Sequence, residues 1–292
     1  PPHANGGRSS IMRGAGGGPA GIGGGLGDFD LSQQVHTIMS YNDGWTTSPY
    51  GQPRSGGITG TEVDHYGWVA SLSPLDIAVI QDKYGVNEDM ATGNDTYVLK
   101  DVNAPGTFYE SIWDAGGTDS IAYDGARDAS INLNAATLQY EEGGGGNVSY
   151  AYGVHGGFTI ANGVTIENAT TGSGNDALIG NAAANRLDGG AGTDHLTGGA
   201  GRDVFHFAGA GDSAVGSARD VITDFERGSD KIDLSAVGGV DFIGGRQFSG
   251  SAGEIRYASF ADATIIELDN DGDRAADMQI ELDGPHQLRA SD

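Results

Sequence analysis

From Thr171 to His206 the chain repeats with a strict period of nine residues, in the units 171–179, 180–188, 189–197 and 198–206. The sixth place of the units holds Asp176, Asn185, Asp194 and Asp203, and the eighth place holds Leu178, Leu187, Leu196 and Phe205. This is the G-G-x-G-x-D-x-U-x pattern of a calcium-binding parallel β-helix. A flexible Gly/Asp linker is the alternative, but a linker would not keep an apolar residue in register four times.

A β-roll explains this spacing physically. Glycine permits turn conformations that a Cβ would forbid, and no single unit can bury its apolar face alone, so we expect successive strands to stack in parallel. The sixth-place carboxylate then lies between stacked turns, where it and carbonyl oxygens can enclose Ca²⁺. The predicted calcium-binding residues of the repeat are Gly172, Gly174, Asp176, Gly189, Gly190, Gly192, Asp194, Gly198, Gly199, Gly201 and Asp203.

The second unit departs from the pattern. Asn181, Ala183 and Asn185 stand where the repeat has Gly, Gly and Asp. An amide oxygen carries no net charge, so a calcium site that uses Asn185 is expected to be weaker or absent.

The chain is strongly acidic, with 15 Lys and Arg against 40 Asp and Glu and a net charge of −25. Such a charge repels nucleic acid and anionic membranes, so neither is an expected partner. A solvated acidic surface would account for it, but carboxylates neutralised by bound cations account for it better. There is no cysteine, which excludes disulfides and thiolate metal sites. No apolar run approaches the roughly 20 residues of a membrane span.

One helix is predicted, over residues 74–84. Ser73 suits the N-cap, Pro74 the first helical position, Asp76 the first turn, and Gly85 the position just after the helix. Beyond Gly85 short β-rich pieces alternate with Gly/Asn/Asp turns. A domain boundary is therefore predicted after residue 85.

Further acidic groups lie outside the repeat. Asp114, Gly116 and Asp119 follow Trp113 and form a candidate isolated calcium site, with a plain hairpin turn as the alternative. The run from Asp269 to Asp273 has alternating carboxylates, but it lacks the Gly at the sixth place and the Glu at the twelfth place that an EF-hand needs, so a solvated β-turn is equally consistent with it. The further candidate calcium ligands are Asp224, Asp233, Asp269, Asp271 and Asp273.

The order of these features resembles that of a known family. Met39-Ser40-Tyr41 precedes the helix, then Trp113–Asp119, the repeat, and Asp220–Leu234. This order resembles the serralysins, secreted zinc metalloendopeptidases of Gram-negative bacteria. The resemblance implies that Met39 is the Met-turn residue beneath the zinc. It also implies that Tyr41 can ligate the zinc and stabilise the tetrahedral intermediate, and that an uncleaved C-terminal signal serves export.

The chain departs from the family at the zinc site. Catalysis in this class uses H-E-x-x-H-x-x-G-x-x-H, in which Glu is the general base. The seven histidines here are never four residues apart, so the motif is absent. We expect the chain to begin just after the last zinc histidine of a longer protein. It can be a fragment of a protease, one half of a nicked enzyme whose other half stays bound, or a natural non-catalytic calcium-binding module. Structural or surface roles are expected for His36 and His65.

We therefore predict a mostly β chain. A calcium-binding parallel β-roll and β-sandwich would span residues 86–292, preceded by a remnant of a metzincin catalytic domain with one helix over residues 1–85. The parent protein would hydrolyse peptide bonds with zinc-bound water and carry several calcium ions, whereas the isolated chain would be inactive. Its expected partners are a protein or peptide substrate, the missing N-terminal half and the type I export machinery. The protein is expected to be monomeric and extracellular.

Overall fold

The architecture comes from a computed structural model of the chain, which describes residues 33, 35–37, 45, 47–50 and 66–292. The chain divides into two compact units. Of the continuously described segment, the first unit contains residues 66–119 and 134–165, and the second contains residues 120–133 and 166–292. The predicted boundary after residue 85 does not coincide with this division and stays a prediction about family domains.

The first unit contains the predicted helix and four short strands. Helix α1 spans Pro74–Tyr84, as predicted, with Pro74 at its start and Gly85 just after its end at φ 89°. The Gly85 N–H donates to the Gln81 carbonyl, which closes the last turn. The Ser73 hydroxyl makes no capping hydrogen bond, contrary to expectation. The strands of this unit are β1 (Thr96–Val98), β2 (Tyr109–Ile112), β5 (Tyr150–Ala151) and β6 (Gly157–Ile160), and β2 pairs with β6 in parallel.

The second unit contains the other strands. They are β3 (Ser120–Ala122), β4 (Ala129–Asn132), β7 (Asn168–Thr170), β8 (Ala177–Ile179), β9 (Arg186–Asp188), β10 (His195–Thr197), β11 (Val204–His206), β12 (Asp220–Ile222), β13 (Lys231–Asp233), β14 (Asp241–Gly244), β15 (Glu254–Ser259), β16 (Ala263–Asp269) and β17 (Met278–Asp283). Within the unit one sheet has the order β3-β7-β9-β11-β13 and the other has the order β14-β15-β16-β17-β12-β10-β8-β4.

The strands of the repeat alternate between the two sheets. β8 and β10 pair in parallel, and so do β9 and β11, so that Leu178 lies beside Leu196 and Leu187 beside Phe205. Residues 18 positions apart therefore stack, and one turn of the roll takes two units of the repeat. The expectation that successive strands stack was wrong, because consecutive strands face each other across the core instead of sharing a sheet.

The eighth-place side chains fill the space between the two sheets. They continue beyond the repeat through residues in register with them. Nine members of this ladder have 0 % exposure, namely Ile131, Leu178, Leu196, Ile222 and Leu282 on one side, and Ile121, Ala169, Leu187 and Phe205 on the other. Ile232, in register with Phe205 on β13, is half-buried. Burial of this apolar surface is the main favourable term for a roll whose strands are only three or four residues long.

The C-terminal strands extend one sheet of the roll. β15, β16 and β17 are antiparallel neighbours, and β17 pairs in parallel with β12. A mostly β chain with parallel sheets is thus confirmed, and α1 is the one α-helix in the described part of the chain. None of the helices found there is long and apolar enough to cross a membrane.

Candidate metal sites

Three aspartates form a column along one side of the roll. The Oδ1 of Asp194 accepts a hydrogen bond from the backbone N–H of Asp176 at 2.8 Å, and the Oδ1 of Asp220 accepts one from the N–H of Asp194 at 2.8 Å. At the start of the column the Ala129 N–H donates to the Oδ1 of Asp176. We call Asp176, Asp194 and Asp220 the first column. One oxygen of each carboxylate thus joins two turns of the roll.

The second column consists of Asn185, Asp203 and Asp230. The Asn185 N–H donates to the Oδ1 of Asp203 at 2.8 Å, and the Asp203 N–H donates to the Oδ1 of Asp230 at 3.0 Å. Asn185 itself differs from the aspartates because both ends of its amide are already bonded. Its Oδ1 accepts from the Asn181 N–H, and its Nδ2 donates to the Glu167 carbonyl.

The second oxygens of four aspartates are the most informative atoms in the two columns. The Oδ2 atoms of Asp176, Asp194, Asp203 and Asp220 are buried and accept no hydrogen bond. A buried carboxylate oxygen without a donor is costly, and bound cations are among the ordinary ways to satisfy one. The donor set is oxygen alone, which suits a hard cation. These four residues therefore fit a metal.

The protonation behaviour of these aspartates reflects their burial. Loss of hydration raises the pKa of Asp194 to about 8, with further contributions from the Asp220 and Asp176 carboxylates. The same cause raises the pKa of Asp220 to about 7 and that of Asp203 to about 6, and it raises the pKa of Asp176. Without a cation, burial thus shifts these acids toward their neutral form relative to the unfolded chain.

We expect the metal-free fold to lose stability as the pH rises from about 4 to about 8. Between the ordinary aspartate pKa of 3.8 and the raised values of about 6 to 8, the folded chain holds protons that the unfolded chain has released. Proton release on unfolding makes the folded state less stable at higher pH. The folded fraction of metal-free protein, followed by circular dichroism between pH 4 and pH 8, measures this. Equal or greater stability at pH 8 would contradict the expected burial of these carboxylates.

The glycines of the repeat permit the close stacking of turns. Gly192 has φ 147°, and a Cβ there would overlap the carbonyl oxygen of Gly174 on the preceding turn. At Gly189 a Cβ would collide with the Oδ2 of Asp194, the atom that has no hydrogen-bond donor. A Cβ would likewise meet backbone or Asp oxygens at the other predicted positions, namely Gly172, Gly174, Gly190, Gly198, Gly199 and Gly201.

A separate acidic group lies in the first unit. Carboxylate oxygens of Asp95, Asp114 and Asp119 lie within 4.8 Å of one another, and Asp114 and Asp119 are buried. The Oδ1 of Asp119 accepts from the Asp95 N–H, and the Oδ1 of Asp114 accepts from the Gly116 N–H. The predicted residues Asp114, Gly116 and Asp119 are thus brought together. Sequence reasoning missed Asp95, which precedes Asp114 by nearly 20 residues.

The remaining acidic candidates are satisfied by protein donors. Both oxygens of Asp224 accept backbone N–H groups, those of Gly198 and Gly199. Asp233 accepts from the Ser235 N–H and pairs with Arg186. Asp269, Asp271 and Asp273 have oxygens within 4.8 Å of one another, but both oxygens of Asp269 accept N–H groups of the same turn. These residues are less suited to a cation than the columns.

Two column members were not predicted as ligands. Asp220 and Asp230 lie outside the four units, within the segment Asp220–Leu234 that was cited above only for the family resemblance. The signal was present, since Asp220-Val221-Ile222 and Asp230-Lys231-Ile232 keep the sixth-to-eighth-place pattern without the glycines.

The predicted catalytic residues Met39 and Tyr41 lie outside the described residues, as does His65. His36 is buried, and its Nδ1 lies 2.9 Å from the Gly145 carbonyl oxygen, so that nitrogen has a structural hydrogen bond. The structure thus brings no predicted zinc-site residue to a described site.

The chain is similar in sequence to known proteins over most of its length. The chain is 38 % identical over 271 residues to the metallopeptidase AprA of Pseudomonas marginalis, a match that covers 84 % of this chain and 52 % of the relative. It is 39 % identical over 283 residues to a serralysin of Photorhabdus luminescens, covering 86 % and 50 %. The chain therefore spans about half the length of the curated relatives it matches.

Solved structures include one subunit of a mannuronan C5-epimerase from Azotobacter vinelandii. It is 32 % identical, covers 42 % of this chain and 76 % of its own, and has a TM-score of 0.34. The family model described as Peptidase M10 serralysin C terminal matches residues 76–292, which is most of the chain. The chain belongs to the peptidase M10 serralysin C-terminal family.

Proposed function

We propose that this chain binds several calcium ions in its β-roll and is the C-terminal portion of a secreted zinc metalloendopeptidase. The observation that carries the calcium role is the set of four buried Oδ2 atoms in the two columns, each without a protein donor. Family membership and the relatives named metallopeptidase and serralysin support the protease part. Binding would convert buried, mutually repelling carboxylates into a stable ligand set.

Calcium fits the columns better than the other common cations. The candidate ligands are carboxylate oxygens together with glycine carbonyls of the stacked turns, and Ca²⁺ takes six to eight oxygen ligands in flexible geometry. Magnesium demands near-ideal octahedral geometry and usually keeps several bound waters, and a buried column of carboxylates suits neither requirement. Zinc prefers nitrogen and sulfur donors, and neither column contains a histidine or a cysteine.

The zinc chemistry is proposed for the parent protein. In that protein zinc would supply an activated water for peptide hydrolysis. This chain would contribute Tyr41 as a zinc ligand and stabiliser of the tetrahedral intermediate, and Met39 as the residue beneath the metal. The three histidines and the general base would come from sequence that this chain does not carry, because H-E-x-x-H-x-x-G-x-x-H is absent from it.

We also propose an extracellular location and export through a type I transporter. The family relationship supports this proposal. The calcium dependence gives it a physical reason, since a roll that folds only in calcium could cross a transporter unfolded and fold in a calcium-rich medium. Expression of the chain inside a Gram-negative cell with and without a type I transporter tests it: the chain should appear in the medium only when the transporter is present.

The isolated chain is expected to hydrolyse no protein substrate and to hold no stoichiometric zinc. Tyr41 alone cannot supply the three protein ligands that catalytic zinc usually needs. A casein assay and zinc analysis test this on material shown by intact mass to be this chain alone. About one zinc per chain with chelator-sensitive cleavage would contradict the ligand assignment.

Addition of an upstream polypeptide distinguishes the remaining interpretations. If a polypeptide carrying the zinc motif restores cleavage, the chain is one part of a split or longer protease. If it does not bind and does not restore cleavage, a stand-alone calcium-binding module is favoured. A matched polypeptide with the motif Glu replaced by Gln controls for simple association without catalysis.

A further inference from the structure

The first column continues across an interruption of the repeat. Thirteen residues, 207–219, separate β11 from β12. The ninth residue after Asp203 is Asp212, the place where the period would put the next acid. Its Oδ2 instead accepts the N–H groups of Ala208 and Gly209 within the connecting loop. Asp220 takes the column position, so something other than the repeat must place it.

Ser213 makes the contact that places Asp220. Its side chain is fully buried, with 0 % exposure. The Ser213 Oγ accepts a hydrogen bond from the Asp220 N–H at 2.8 Å and donates one to the Gln279 carbonyl at 2.5 Å. In the earlier turns of the column, the backbone N–H groups of Asp176 and Asp194 donate their hydrogen bonds to the Oδ1 of the next aspartate instead. The Ser213 hydroxyl thus accepts the hydrogen bond that the next aspartate accepts elsewhere in the column, but it carries no charge.

The connecting loop is anchored on both sides of Ser213. The backbone carbonyl of Gln279 on β17 accepts the hydrogen bond from the Ser213 hydroxyl, and the side-chain Oε1 of Gln279 accepts one from the Gly216 N–H at 2.9 Å. Arg219, just before Asp220, donates from Nε to the Oε2 of Glu281 at 2.7 Å. The position of Asp220 is therefore fixed by β17 rather than by a following turn of the roll.

The second column ends in a different way. Both oxygens of Asp230 accept backbone N–H groups, those of Asp203 and Glu226, and the Asp230 N–H donates to the Glu226 carbonyl. Asp230 is thus held by its own turn. Asp220 has one unbonded oxygen and depends on Ser213 for its backbone N–H.

We propose that Ser213 is a positioning residue for the last cation of the first column. It satisfies the Asp220 N–H at the end of the column and keeps the Asp220 Oδ2 aimed between the turns. A neutral hydroxyl suits this place because a further carboxylate would add like-charge repulsion without a further turn to share a cation. This inference rests on the proposed calcium function.

The first test is the calcium concentration that gives half-maximal folding, followed by circular dichroism. Ser213→Ala is expected to raise it about tenfold, because it leaves a buried N–H unpaired beside a candidate ligand. Ser213→Cys keeps the side-chain shape, with a somewhat larger atom and a weaker hydrogen-bonding group, and under reducing conditions its midpoint should lie between those of the wild type and Ser213→Ala. Thr223→Val is the control: it removes a partly buried hydroxyl just beyond the end of β12 that bonds Thr197 and should change the midpoint less than twofold.

Double variants test whether Ser213 acts through Asp220. In an Asp220→Asn background the backbone N–H of residue 220 still loses its acceptor, but the carboxylate that Ser213 positions is gone, so Ser213→Ala should raise the midpoint by clearly less than tenfold; in an Asp230→Asn background the tenfold change should persist. An undiminished change in the Asp220→Asn background would mean that Ser213 acts only in packing and would overturn the inference. Equal midpoints for Ser213, its Ala and its Cys variants would also overturn it. A wild-type chain with no response to calcium would instead overturn the proposed function, and this inference with it.

Discussion

Removal of calcium is expected to unfold most of the second unit, residues 120–133 and 166–292. Four buried Oδ2 atoms would then have neither a hydrogen-bond donor nor a cation beside them, namely those of Asp176, Asp194, Asp203 and Asp220. A buried group left unsatisfied costs about 1–3 kcal/mol, and more when it is charged. Four such groups together rival the roughly 5–15 kcal/mol by which native domains are stable. The apolar ladder alone should therefore not hold the roll at neutral pH.

Far-UV circular dichroism of metal-free protein and of protein in millimolar-range Ca²⁺ measures this effect. Magnesium at the same concentration, and sodium chloride at the same ionic strength, control for screening of the net charge of −25. We expect calcium to restore the β spectrum cooperatively and the two controls to restore little of it. Identical spectra with and without calcium would show that the columns are satisfied without a cation.

Local spacing in the sequence predicted the parts of the fold that short segments determine. Helix α1 was predicted because Pro74 and Gly85 mark its ends, and the strands of the repeat because an apolar residue recurs every nine positions. The pairing of the strands was predicted wrongly. A period of nine does not reveal whether a turn of the roll takes one unit or two, and only the register of Leu178 beside Leu196 decides it.

The sites were predicted where ligands are close in sequence and missed where they are distant. Asp176, Asp194 and Asp203 follow from the period, whereas Asp220 reaches the column only because Ser213 and β17 hold it there. Asp95 joins Asp114 and Asp119 through a chain segment nearly 20 residues away. Such placements depend on tertiary contacts, which the linear order of residues does not display.

Asp194→Ala and Asp203→Ala are expected to weaken calcium-dependent folding far more than Asn185→Ala. Asp194 lies in the middle of the first column. Its Oδ1 accepts a hydrogen bond from the Asp176 N–H, and its own N–H donates one to the Oδ1 of Asp220. Its loss removes a candidate ligand and a link between turns together. We expect the calcium midpoint to rise more than tenfold for each Asp variant, since charged hydrogen-bonded groups are worth roughly 1.5–3 kcal/mol.

Asn185→Ala should raise that midpoint less than either Asp variant does, because it removes hydrogen bonds to the Asn181 N–H and the Glu167 carbonyl but no unbonded carboxylate oxygen. Asp194→Asn separates the two roles of Asp194. The amide oxygen can still accept the Asp176 N–H, but the negative charge and the second carboxylate oxygen are gone. If cation binding dominates, Asp194→Asn should resemble Asp194→Ala; if the link between turns dominates, it should resemble the wild type. Equal calcium midpoints for Asp194→Ala, Asp203→Ala and Asn185→Ala would show that the unbonded carboxylate oxygens do not determine where calcium binds.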